Sequence, residues 1–424
     1  MTVNDQNSMP VSRRRLLGVA GAGALTGAAA LGGFEIAQAR EDDGPDHTRL
    51  AYDFHGEHQA GIVTPSQDRL HFASFDVTTD SREDLIALLQ AWTKAAEQMT
   101  TGGDVGADEI RNYDTPPADT GEALGLPPSG LTLTFGFGPT LFEKDGKDRF
   151  GLGARRPKSL ERLPHFPADN LSPERTDGDL CVQACANDPQ VAVHAIRNLA
   201  RLGFGTVAMR WNQLGFGRTS STSTTQQTPR NLMGFKDGTA NLKAEDSANI
   251  EKFVWVGDDD DPGAAWLAGG SYLVARRIKI TIEPWDRTSL REQEMLIGRE
   301  RAHGAPLSGG TEFSELDLKI QGRDGPLIAM DAHVRLAHPS QNNGTKLLRR
   351  GYNFTDGTDA LGRLDAGLFF IAFVRDPAQH YIPMQLQLSS KDGLMEYLQH
   401  TGSGLWAVPP GVAKGEYIGQ ALFT

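Results

Sequence analysis

Two runs of apolar segments, one on each side of a polar Ser/Thr-rich stretch, restrict the folds open to this chain of 424 residues. The first run reads strand, helix, strand, strand, helix. Residues 71–77 alternate as a strand, and 82–99 place Leu85, Leu88, Leu89, Trp92 and Ala96 on one helical face. LTLTFGFGPTLF (131–142) is a strand entering a Gly/Pro turn, and DLCVQACA (179–186) is a buried strand. Asp188 and Pro189 then open a helix whose apolar face runs through Val191, Ala195, Ile196 and Leu199. That order with short connections suits an antiparallel-rich α+β packing rather than a doubly wound parallel sheet. GFGRTSSTSTTQQTPR (215–230) is the crossing. The second run repeats the grammar: a strand at 272–282, a helix at 286–299, the strand GLFFIAFVRD (367–376) and a final helix around 393–400. The expected organisation is a first domain at 51–214, a linker at 215–230 and a second domain at 231–424.

The N-terminus carries an address. Arg13-Arg14-Arg15 lead into an Ala/Gly-rich apolar run through Gly33, and Ala37-Gln38-Ala39 offers small residues for cleavage. A basic region, an apolar region and A-x-A make a secretory signal over 1–39, and the twin arginine points to the Tat route. Residues 40–50 are polar and read as a mobile mature N-terminus. Tat moves folded proteins, so the signal favours cargo that takes up a cofactor before export to the periplasm, cell envelope or exterior. No second long apolar run exists, so the cleaved chain is not expected to span a membrane. The net charge of −12 leaves no basic stripe for phosphates and argues against nucleic-acid binding. Cys181 and Cys185 are too few for a disulfide framework, and four apart on a strand they are too distant to bridge.

Two stretches hold the chemistry. MDAHVRLAHPSQNNGTKLLRRGYNF (330–354) contains His333, His338 and the pair Arg349-Arg350. A neutral imidazole is a common iron ligand, and arginine is a cation that no ordinary pH removes. NLMGFKDGTANL (231–242) places Asp237 in a tight loop between Gly234 and Gly238, where the backbone turns as most residues cannot. A haem peroxidase needs an axial histidine with the opposite position open, a base to move a proton between the peroxide oxygens, and a cation for the charge that develops as the O–O bond lengthens. His333, Asp237 and Arg349 match those needs. A pair at His55 and His58 lies in a Gly-containing loop and reads as irregular backbone rather than a metal site.

Through G-x-x-D-G (234–238), H-V-R (333–335), L-R-R-G-Y (348–352), GFGPTLF and GLFFIAFVRDP, the chain resembles the dye-decolourising peroxidases. It looks most similar to their Tat-exported subgroup, which includes the deferrochelatase/peroxidase of bacterial iron uptake. The resemblance covers nearly all of 50–424. It implies an α+β fold of two tandem ferredoxin-like halves, a dimeric α+β barrel-like arrangement, and one haem b per chain. It makes His333 the proximal iron ligand, Asp237 the distal acid/base and Arg349, first of its pair, the distal cation. Gly238, Thr239 and Ala240 should line the haem, and Leu368 and Phe370, two apart on a strand, should wall the distal pocket. Relatives often read A-N-P-R where this chain has Ala337-His338-Pro339-Ser340, so His338 is a second candidate ligand or a propionate partner. Being before proline it is held extended, which favours the pocket edge.

The reaction expected is reduction of hydrogen peroxide with oxidation of organic reductants or dyes. An acidic optimum is expected, because an Asp base has a low pKa. Tyr352, Trp255, Trp266, Trp285 and Trp406 are candidate electron relays. Removal of iron from intact porphyrin, with components of an iron-uptake system as partners, is the alternative. A haem carrier needs the ligand but neither Asp237 nor Arg349. Homo-oligomerisation stays open.

Overall fold

The computed structural model describes residues 47–106, 113–323 and 325–424. The expected signal at 1–39, and most of the stretch expected to be mobile, lie outside them. His47 to Leu50 are tied down: Ser129 and Gly130 donate their N–H groups to the Thr48 and Leu50 carbonyls.

The first half contributes β1 (Arg69–Val77), α1 (Arg82–Thr100), β2 (Thr132–Phe137), β3 (Leu180–Ala186), α2 (Pro189–Leu202) and β4 (Val207–Arg218). Ser81 caps α1 through its hydroxyl, and Asp188 caps α2 ahead of Pro189, whose missing N–H costs a first turn nothing. The second half contributes β5 (Ser271–Ile280), α3 (Ile282–Arg287), α4 (Leu290–Ile297), β6 (Tyr352–Thr358), β7 (Leu364–Val374), α5 (Ile382–Lys391) and β8 (Leu398–Val408). In the first half the strand order is β4-β1-β3-β2, and in the second β8-β5-β7-β6. Each is the fourth-first-third-second order of a ferredoxin-like sheet, as expected. β2 joins β8 and β4 joins β6, so the antiparallel strands close into a barrel.

Side chains alternate along these strands between two cores. Phe72, Trp211, Phe369 and Trp406 meet in a core shared by both halves, with ring centroids 5.2–6.2 Å apart. Ala73, Phe75, Phe135 and Val182, on the other face, pack against Leu85, Leu89 and Trp92 of α1. Cys181 and Cys185 are free, buried strand residues, as read from the sequence.

Four expectations need correction. β4 was missed, and the expected boundary at 214 cuts it. Its exposed side, with Arg210, Asn212 and Leu214, shows no apolar run. The stretch expected as a linker at 215–230 begins inside β4, which runs to Arg218, and continues with Thr219 to Ser223 buried. The helix expected at 286–299 is two helices, α4 being restarted by a Ser289 cap. The final helix expected at 393–400 is a short turn, Gly393–Glu396, followed by β8, and the nearby helix is α5. Among the described residues no helix is long and apolar enough to cross a membrane.

Candidate active site

His333 opens a one-turn helix, His333–Leu336. Two neighbours aim that turn. Buried Arg335 donates from its guanidinium to the Leu318, Ile328 and Ala329 carbonyls. Gly298, at φ +90° after α4, leaves room for the turn: a Cβ there would lie 2.5 Å from Val334 Cγ2.

His333 Nδ1 donates to Asp392 Oδ2 at 2.6 Å, and the Asp392 side chain is 2% exposed. Asp392 is itself held by the Leu394 N–H on Oδ1 at 2.9 Å. Burial works against a proton on His333, but the charge and hydrogen bond of Asp392 outweigh it and hold the imidazole pKa above its usual value. Asp237 adds to that effect and Arg349 opposes it, so both charges lie within electrostatic reach of the imidazole. The His333 side chain is nevertheless 36% exposed, and among the described residues no hydrogen bond reaches Nε2. An imidazole fixed at Nδ1 and open at Nε2 is a ligand arrangement.

Arg349 Nη1 donates to Asp237 Oδ1 at 2.8 Å, with both side chains partly exposed. The Asp237 loop turns at Gly234 and Gly238, at φ +85° and +82°. Gly238 is buried where a Cβ would meet the Ser220 backbone at 2.9 Å. Thr239 donates to Glu312 Oε1 at 3.4 Å, Lys236 is paired with the same carboxylate, and Ala240 is exposed. Leu368 and Phe370 share the face of β7 opposite Phe369 and Ile371, and both are half-buried.

His338 is extended, at φ −66° and ψ 140°, and its Nδ1 accepts from the Ser340 N–H at 3.2 Å. Burial, helped by Arg299 and opposed by Glu315, lowers its pKa. Arg350, which had no role in the sequence reading, is fully buried and donates to the Thr64 carbonyl and to Gln67. His55 and His58 are not a metal pair: His55 Nδ1 bonds the Val412 carbonyl at 3.2 Å, and His58 stacks on Trp255 at 3.8 Å. Among the proposed relays, Tyr352 donates to Cys185 Sγ at 3.4 Å, and Trp266, Trp285 and Trp406 each donate to a backbone carbonyl.

Sequence reasoning missed Asp392 and Glu312. Asp392 sits in an ordinary Asp-Gly pair 59 residues after His333, and no local signal marks it.

Residues 59–217 match the Dyp-type peroxidase N-terminal family and residues 228–413 the Dyp-type peroxidase C-terminal family. The chain is 36% identical over 430 residues to the deferrochelatase of Escherichia coli K12, an alignment covering 100% of this chain and 99% of that one. It is 37% identical to the deferrochelatase of Yersinia pseudotuberculosis, covering 99% and 96%. Ferric DtpA from Streptomyces lividans is similar with a TM-score of 0.80 and 39% identity, over 89% of this chain and 99% of that one. A DyP-type peroxidase from Cellulomonas bogoriensis gives 0.79 and 37%, over 89% and 99%. Matched in both halves and along the full length of its relatives, the chain belongs to the Dyp-type peroxidase family.

Proposed function

We propose that the protein binds one haem b in its second half, through His333 Nε2, and reduces hydrogen peroxide at the expense of organic reductants or dyes. The observation that carries this reading is the combination of an imidazole pinned at Nδ1 by Asp392, open at Nε2, and within electrostatic reach of the Asp237–Arg349 pair. These residues fit the group: a neutral-tautomer ligand with a carboxylate behind it, and a face of β7 carrying Leu368 and Phe370. Gly238, Thr239, Ala240 and His338 complete the lining. When bound, the haem supplies the iron at which peroxide is reduced.

The side chains handle protons and charge. Asp237 Oδ1 is occupied by Arg349, while among the described residues Oδ2 has only a 3.3 Å contact from Asn231 Nδ2. Oδ2 therefore takes the proton from one peroxide oxygen and returns it to the leaving one. Arg349 keeps N–H groups beyond the one given to Asp237, and these stabilise the negative charge on the departing oxygen. Leu368 and Phe370 keep large molecules out, so bulky donors deliver electrons from the surface.

Replacement of His333 by Ala should abolish the Soret band of protein purified from haem-supplemented cells, and His338→Ala should retain it. The reverse outcome would assign the iron to His338. The Arg13-Arg14 signal supports Tat export of the loaded protein to the periplasm, cell envelope or exterior. A second reading, removal of iron from haem with the porphyrin intact, is favoured by the name deferrochelatase carried by full-length relatives at 36–37% identity. Components of an iron-uptake system are then the partners. Mass analysis of the tetrapyrrole after turnover separates the two, since only the second yields protoporphyrin.

A further inference from the structure

Arg349 is held at its backbone as well as at its guanidinium. Its N–H donates to Asn241 Oδ1 at 2.7 Å, and Asn241 Nδ2 donates to its carbonyl at 2.9 Å. This is the double bond pattern that an antiparallel strand would supply, made instead by a side chain 108 residues upstream. The same Nδ2 donates to the Ser221 carbonyl at 3.0 Å, and that carbonyl also accepts from Lys243 Nζ at 2.7 Å. Asn241 is buried, so the carboxamide exchanges no partner with water.

The need for such a clamp follows from the local fold. Leu348–Arg349 is a strand of two residues, paired on one side with Phe373 and Ala372 of β7. It lies at the end of the strand order, and among the described residues no strand pairs with its other side. Only a carboxamide offers a donor and an acceptor in one plane at this length. Asp would keep the acceptor and lose the donor, and Leu would lose both.

We propose that Asn241 is the positioning residue for the distal arginine: by clamping the Arg349 peptide it sets where the guanidinium meets Asp237 and the reacting oxygen. The proposal rests on the roles given above to Arg349 and Asp237. A displacement of about 1 Å in such a group can slow a reaction on the order of 10²-fold.

The test compares haem-loaded wild type, Asn241→Leu, Asn241→Asp, Arg349→Ala and the double variant Asn241→Leu/Arg349→Ala. One readout is the second-order rate constant for the peroxide-induced change of the Soret band. The other is amide hydrogen exchange at Arg349, which needs no turnover. Asn241→Leu should slow the peroxide step by about tenfold to a hundredfold, yet add nothing in the Arg349→Ala background, and it should speed exchange of the Arg349 N–H. Should Asn241→Leu not fold, Asn241→Asp runs the rate cycle alone, because it keeps the acceptor for the Arg349 N–H and loses only the donor to the Arg349 carbonyl, so exchange is read on Asn241→Ala instead. Equal slowing in both backgrounds, or unchanged exchange, overturns the proposal and leaves Asn241 a general structural residue. A wild-type rate in Arg349→Ala would sink the catalytic role of Arg349 itself, and exchange alone then decides for or against the clamp.

Discussion

His400 weakens the fold as pH falls. It lies on β8, is 3% exposed, and among the described residues its Nδ1 has no hydrogen-bond partner. Burial, with the Arg276 charge acting in the same direction, lowers its pKa from 6.5 to about 3. The unfolded chain therefore binds a proton that the folded chain refuses. Stability from this group is complete above pH 6.5 and is lost as pH falls, until the folded pKa is reached. Each pH unit well below 6.5 costs about 1.4 kcal/mol, so acidification from pH 7 to 4.5 removes roughly 2–3 kcal/mol through His400 alone. His400→Gln cannot titrate and escapes this loss. Urea unfolding of both proteins at pH 7 and 4.5, with equal m values, should show wild type losing roughly 2–3 kcal/mol more than the variant. Parallel losses would refute the reasoning, because they would mean that His400 ionises without unfolding. The loss bears on function: an enzyme expected to work best in acid carries a residue that destabilises it there.

His71 repeats the effect on a smaller scale. Its pKa is lowered to about 4 by burial, against the opposing effect of the hydrogen bond that His71 Nε2 donates to Asn212 Oδ1, so His71→Gln should also flatten the acid limb of the stability curve. Asp169 and Arg276 form a fully buried ion pair, and Asp169→Asn should cost about 3–5 kcal/mol in urea unfolding by leaving the guanidinium unpaired. Replacing both by apolar residues should recover most of that loss. Asp392→Asn removes the carboxylate behind His333 and should weaken haem binding about 10- to 100-fold in a spectroscopic titration. Gly298→Ala forces a Cβ against Val334 at a left-handed backbone position, and should cost about 1–3 kcal/mol of stability while broadening the Soret band.

The strands and helices that sequence reading found are those whose burial writes a period into the chain. β3 is buried along its whole length and is apolar but for Gln183, and α2 shows one apolar face. β4, β6 and β8 leave no such trace. β4 meets solvent on one side, the last four residues of β6 are exposed, and β8 is interrupted by Gly402 and Gly404. Their place is decided by partners far along the chain, such as Phe216 opposite Asn353 and Ala407 opposite Phe137. Those pairings close the barrel, and local pattern carries no record of them.

The site divides along the same line. His333, Asp237 and Arg349, the residues proposed for the chemistry, stand out in the sequence because such chemistry needs side chains of particular types, and glycines or neighbouring charges mark them. The groups that hold them are ordinary residues whose meaning is purely spatial. Asp392 looks like any Asp-Gly turn until its carboxylate is found on His333 Nδ1, and Asn241 like any loop asparagine until both ends of its carboxamide meet Arg349. Arg350 is the instructive intermediate case. Its neighbour Arg349 gives it the look of a catalytic residue, yet it is fully buried and bonded to Thr64 and Gln67 in the loop preceding β1. A single step along the chain thus separates a partly exposed cation with N–H groups to spare from one consumed in joining the two halves. What distinguishes them is which way the backbone of Leu348–Arg349 presents each side chain, and that is the quantity Asn241 controls.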